Sequence, residues 1–131
     1  MRPFLDWVDS PGFNITRGWN TVDGWIGPGK AEPFDIQRRI LGHCFTLKED
    51  GKFPYTTIVY STVKKSGKSM WEAAIGSYYA EEAPAGSEIF VCANDMEQAS
   101  SLVFANMKYD AEQKGYKTFK EEIRYPNGTT A

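Results

Sequence analysis

Residues Thr62-Val63-Lys64-Lys65-Ser66-Gly67-Lys68-Ser69 form a stretch whose types and spacing suit a defined chemistry. They match the phosphate-loop pattern G-x-x-x-x-G-K-[ST] at every fixed position except the first, where Thr62 stands in place of glycine. A loop that wraps a triphosphate needs backbone N–H groups turned inward and a glycine where the chain passes too close for a side chain. It also needs a helix whose positive N-terminal end faces the phosphates. Gly67 and a helix starting near Lys68 would supply the last two. In that chemistry Lys65, Ser66 and Gly67 belong to the cradle, Lys68 neutralises charge on the β- and γ-phosphates, and the Ser69 hydroxyl ligates Mg²⁺. The bland alternative is a solvated basic turn. Against it, Lys64, Lys65 and Lys68 are concentrated beside acidic sequence, since residues 70–110 carry seven acids and one base.

The elements that must position this loop are legible on either side of it. Tyr55-Thr56-Thr57-Ile58-Val59-Tyr60 is short and dense in β-branched and aromatic residues, which predicts a strand. Met70 to Ala80 has no breaker except Gly76 and predicts a helix ending before Ala83-Pro84-Ala85-Gly86. Glu88 to Ala93 predicts a second strand, apolar enough from 89 to 93 to be buried on both faces, as in a parallel sheet. Strand, helix and strand make a βαβ unit.

Upstream, Ile36, Ile40, Leu41, Cys44 and Phe45 recur at helical spacing, with Gln37, Arg38, Arg39 and His43 pointing elsewhere, so a helix is expected over about 34–46. Downstream, Asn94 and Glu97 form a capping pair for a helix over about 95–114, whose Met96, Ala99, Val103, Met107 and Ala111 share a face. Phe119 to Tyr125 reads as a strand running into the turn Pro126-Asn127-Gly128. Residues 1–33, rich in glycine and proline between Gly24 and Pro33, read as an irregular arm whose Trp7, Trp19 and Trp25 pin it to a domain surface. The expected fold class is α/β, an incomplete P-loop NTPase-type parallel sheet flanked by helices over 34–131, behind the arm of 1–33.

A chain of 131 residues holds about one domain, and 41% hydrophobic with 15% aromatic residues is enough to build a core. Fifteen basic against 17 acidic residues give a net charge of −2, so contact with DNA must be local. Cys44, Cys92 and the single His43 leave no Cys/His set for tetrahedral zinc. Without an apolar run long enough for a membrane span or an export signal, the expected compartment is the cytoplasm, and the sequons at Asn14 and Asn127 read as chance.

Four segments together resemble the opening of a tailed-bacteriophage terminase large subunit. They are Gly29-Lys30-Ala31-Glu32-Pro33-Phe34-Asp35-Ile36-Gln37-Arg38-Arg39-Ile40-Leu41, then Asp50-Gly51, then Lys64-Lys65-Ser66-Gly67-Lys68-Ser69, then Ala93-Asn94-Asp95-Met96-Glu97-Gln98-Ala99. The resemblance spans roughly 24–128. It implies the N-terminal part of an ATPase motor that drives double-stranded DNA through a portal into an empty procapsid, with a nuclease following. ATP and Mg²⁺ are the implied cofactors. Portal protein, the small terminase subunit and double-stranded DNA are the implied partners, with a homo-oligomer in the full motor, no membrane, and the cytoplasm of an infected bacterium as the location.

By the same resemblance Gln37, with Phe34 nearby, is similar to the upstream glutamine segment that contacts adenine. Lys64 is similar to the early basic residue that acts on the γ-phosphate, usually an arginine; lysine lacks the planar fork that holds two oxygens. Lys64 and Lys68 are then the catalytic candidates and Ser69 the Mg²⁺ ligand. Hydrolysis in this family uses an apolar strand ending in paired acids, and these residues contain none after residue 100, with Asp95 the nearest substitute. That reads as a fragment or a truncated gene product. Two rivals stay open: a fragment of a helicase-like P-loop ATPase, and a non-enzymatic truncated interaction module.

Overall fold

A computed structural model describes residues 2–15, 29–33, 35–61, 68–92 and 103–131 of the chain. Within them lie the helices α1 (Phe4–Asp9), α2 (Asp35–Cys44), α3 (Lys68–Glu82) and α4 (Ala105–Gln113). Two short antiparallel ladders accompany them: β1 (Asn14–Ile15) with β2 (Gly29–Lys30), and β3 (Lys117–Thr118) with β4 (Ile123–Arg124). Isolated bridges widen the second ladder, Arg124 pairing antiparallel with Thr130 and Thr130 pairing parallel with Glu88. The protein is a mixed fold of helices and small sheets.

The core gathers around α3. Trp71, Ala73, Ala74, Ser77, Tyr78 and Ala80 are all buried, so this helix is enclosed on most sides rather than along one stripe. Its small residues permit close crossing. A Cβ added at Gly76 would lie 3.0 Å from both Sδ and Cε of Met107, so the end of the Met107 side chain from α4 seats directly on the α3 backbone there.

Residues 2–15, expected to be irregular, instead open with a helix and supply Phe4, Trp7, Val8, Phe13 and Ile15 to the core. Pro3 at φ −58° is preset for a helix start, and Phe4, Trp7 and Val8 follow at i, i+3 and i+4. Six residues are too few for that period to register in the sequence. Trp7 stacks on Phe4 (centroids 5.8 Å apart) and meets Tyr78 edge-on at 5.7 Å. The chain then turns at Gly12, whose φ of +82° and approach to the Val8 carbonyl, 2.9 Å from any added Cβ, admit glycine alone. Trp19 and Trp25 lie outside the described residues.

α2 forms where expected, with its phase rotated. Gln37 and Leu41 are buried, whereas Ile36 is 67% exposed. Packing against α1 sets this rotation: Leu5 abuts Gly42, and Arg38 reaches across to Asp9 at 3.2 Å. α3 begins two residues before the expected Met70 and ends two after Ala80. α4 realises the end of the helix expected over 95–114, with Met107 and Ala111 buried, while residues 95–102 lie outside the described set. The expected strand over Phe119–Tyr125 is confined to Ile123–Arg124.

The expected parallel pairing of 55–60 with 88–93 is absent among the described residues. Residues 55–60 join no ladder, and of 88–92 only Glu88 forms a bridge. β-propensity measures fit to a pleated, half-buried surface, so a run of β-formers becomes a strand only where a neighbouring edge is in register with it.

Burial also perturbs the tyrosines of this core. Exclusion from water holds the Tyr78 and Tyr125 phenols well above their ordinary range and Tyr116 up to about 12, with nearby Glu81 adding to the effect on Tyr116 and Tyr125. A folded-state pKa above the unfolded value gives stability that is complete below the unfolded pKa, near 10, and is lost as pH climbs through the folded value. The melting temperature is therefore expected to be insensitive to these groups up to about pH 9 and to fall between about pH 10 and 12. Tyr125→Phe should flatten that fall in a pH series of thermal melts. An unchanged slope would show that the phenol ionises as easily folded as unfolded.

Candidate functional site

The backbone of Lys68 opens α3, so the helix begins where a phosphate loop requires it to begin. Ser69 follows in the first turn and is half-buried. Lys64, Lys65, Ser66 and Gly67 lie outside the described residues, as do Phe34, upstream of α2, and Asp95. Of the expected site residues, the structure therefore describes Ser69, the backbone of Lys68 and Gln37.

Gln37 is buried on α2 and lines a cavity of about 280 Å³ that faces the first two turns of α3. Trp71, Glu72 and Ile75 form the α3 wall, Leu41 and Phe45 contribute from α2, and Ile58 and Tyr60 close a third side. A mostly apolar recess with one buried carboxamide can take a flat ring and read its edge, since an amide carries both donors and an acceptor. Trp71 and Tyr60 escaped the sequence reading because their roles depend on α2, α3 and residues 55–61 meeting. The detectable signal was the proximity of Trp71 to Ser69, within one helical turn.

Among the described residues there is no group of three or more His, Cys, Asp or Glu side chains that could hold a metal ion. Cys44 is half-buried in the cavity wall and Cys92 is exposed; both are free thiols. No described helix is long and apolar enough to cross a membrane.

A second polar cluster lies deeper and links the N-terminal segment to α3 and α4. Asp110 Oδ1 accepts from Asn14 N at 2.7 Å and Asn14 Nδ2 at 3.0 Å, and Lys114 Nζ lies 2.9 Å from Oδ2. Lys114 also pairs with Glu81 at 2.7 Å and sits 4.9 Å from the Trp7 ring centre, while the Trp7 indole N–H donates to Glu81 at 2.6 Å. At the C-terminal end of α3, Asn127 Nδ2 donates to the Ala80 carbonyl at 3.0 Å. Both sequon asparagines are thus engaged within the fold. Comparison with known protein families, curated proteins and solved structures finds no match to this chain.

Proposed function

We propose that this chain is the ATP-binding portion of a phage terminase large subunit, holding Mg·ATP between residues 62–69 and the cavity beside Gln37. The observation that carries the reading is the start of α3 at Lys68 together with the cavity that the next two turns of the same helix form with Gln37. One helix thereby offers a phosphate end and, one to two turns on, a recess for a ring. Lys65, Ser66 and Gly67 would cradle the phosphates, Lys68 would neutralise them, and Ser69 would ligate Mg²⁺. Lys64 would face the γ-phosphate, and Phe34 and Gln37 would hold the base. The bound cation supplies charge neutralisation across the β- and γ-phosphates.

The finer fold reading, a P-loop-type parallel sheet, belongs to the same proposal. Both expected strands lie beside α3: Ile58 and Tyr60 share a cavity with Trp71 and Ile75, and Ile89 Cγ2 lies 4.0 Å from the position of a Gly76 Cβ. A helix lying over two segments that precede and follow it is the arrangement of a βαβ crossover. Portal protein, the small terminase subunit, double-stranded DNA and self-assembly in the full motor are the partners this reading carries, in the cytoplasm of an infected bacterium.

Calorimetry tests it. Mg·ATP should bind the chain, and Lys68→Ala should weaken binding by roughly 10- to 150-fold, the worth of a charge-assisted contact, with Lys65→Ala much less damaging. Equal losses would mean that general basicity, not loop geometry, attracts the nucleotide. No binding by the unaltered chain would reject the reading.

A further inference from the structure

The β3–β4 ladder carries a recess of its own. A cleft of about 420 Å³ is lined by Tyr116, Lys117, Arg124, Tyr125 and Thr129 together with the turn at Gly128, and it shares no residue with the cavity beside Gln37. The Tyr116 and Tyr125 rings, centroids 5.4 Å apart, give it an apolar surface. Its turn is held in place: Asn127 Nδ2 donates to the Ala80 carbonyl, Asn127 Oδ1 accepts from Thr129 N at 2.9 Å, and Gly128 N donates to Tyr125 O at 3.0 Å.

Two cations border the cleft. Lys117 and Arg124 are direct partners across the antiparallel ladder, and like charges placed opposite one another there are destabilising. Little in the fold offsets them. Lys117 makes no ion pair among the described residues, and Arg124 meets Glu122 at 3.4 Å with both side chains exposed, a pairing worth little in water. The neighbouring Glu112 accepts from the Thr118 hydroxyl. The Arg124 guanidinium lies 4.6 Å from the Phe119 ring centre, a contact that steadies it without using its N–H donors. Thr129 is fully buried, and its hydroxyl has no hydrogen-bond partner among the described residues.

We propose that this cleft binds a small phosphate monoester carrying a flat ring, with the phosphate between Lys117 and Arg124 and the ring against Tyr116. The proposal stands apart from the nucleotide reading, since none of these residues belongs to that site. Charge selects the phosphate: a monoester carries about −1.5 to −2 at pH 7 and matches two cations, whereas a carboxylate leaves one uncompensated. Arginine can take two phosphate oxygens through its planar fork, and lysine another as a point charge. The backbone N–H groups of Gly115, Tyr116, Tyr125, Gly128 and Thr130 already donate within the fold, so side chains do the selecting. The tyrosines select the ring, because aromatic surface favours a flat apolar body.

Titration of the whole ¹⁵N-labelled chain with phenyl phosphate, followed through its amide shifts, tests this. Saturable shifts are expected at Tyr116, Lys117, Arg124 and Gly128 to Thr130. Arg124→Gln and Lys117→Gln should each weaken binding roughly tenfold or more. Both side chains are exposed, so the rest of the spectrum should stay in place and report an intact fold. Inorganic phosphate, which lacks the ring, should bind roughly tenfold more weakly than phenyl phosphate. No saturable shift in the cleft, unchanged affinity in both variants, or equal binding of the two phosphates would each overturn the proposal. Duplex DNA moving these amides where phenyl phosphate does not would also overturn it, and would make the cation pair a contact for a nucleic-acid backbone. Each of these failures leaves the Lys68→Ala test of the nucleotide site untouched.

Discussion

Supplied with Mg²⁺ and ATP, these 131 residues should bind nucleotide and release phosphate at little above the uncatalysed rate. Binding draws on groups the sequence provides: backbone N–H groups of 62–67, the Lys68 ammonium and the Ser69 hydroxyl. Hydrolysis makes two further demands. A carboxylate must polarise the attacking water, and a cation must meet charge that develops on the γ-phosphate. For the second demand Lys64 offers a point charge in place of a planar fork. For the first, the nearest acid after the expected second strand is Asp95, which sits between Asn94 and Glu97 where a helix cap is expected. A missing catalytic group removes a factor of roughly 10² to 10⁴, so the absent carboxylate leaves a rate little above background. A phosphate-release assay with and without duplex DNA reads this directly. Steady turnover that disappears in Asp95→Asn would overturn it and make Asp95 a metal ligand; turnover that survives would place the working carboxylate elsewhere in the chain.

The contrast between α3 and its flanking segments shows what the sequence could and could not disclose. A helix is specified by contacts within its own span, so Met70–Ala80 was legible to within two residues at each end, and Met107 and Ala111 were correctly placed on an inward face. Strand pairing is specified by a neighbour. Residues 55–60 and 88–93 have strand composition, yet no ladder joins them among the described residues. α2 lies between these cases: its existence was local information, but its rotation was set by Leu5 and Asp9 of α1, which bring Gln37 inward and leave Ile36 outside. The same rotation puts Gln37, one of the two residues expected at the base, in the cavity wall, a placement that periodicity alone had directed outward. α1 and the cluster of Asn14, Glu81, Asp110 and Lys114 were illegible, the first because six residues carry too short a period, the second because Asp110 and its partner Asn14 lie 96 residues apart.

Asp110→Ala should cost about 3–5 kcal/mol, a large share of the roughly 5–15 kcal/mol that holds a domain of this size. The carboxylate is fully buried and every contact it makes crosses between elements or turns. Its removal strands the backbone N–H and the side-chain amide of Asn14 without their acceptor, and leaves Lys114 Nζ one carboxylate where it had two, at 2.9 and 2.7 Å. Water reaches this place poorly, since the side chains of Lys114 and Glu81 are only 11% and 9% exposed, so the freed donors are not resolvated cheaply. Asp110→Asn keeps the shape and one acceptor oxygen, and should fall between the alanine variant and the native chain. Lys114→Met retains an apolar stem over the Trp7 ring but leaves Asp110 and Glu81 facing one another without a cation. Because both single changes break the same pair, the double variant should lose less than their sum, by roughly 0.5–3 kcal/mol. Urea unfolding of the native chain, the three single variants and the double variant measures all of this. A loss below about 1 kcal/mol for Asp110→Ala, or strict additivity in the cycle, would show that the cluster behaves as a solvated surface group and that β1 is held to α4 by apolar packing alone.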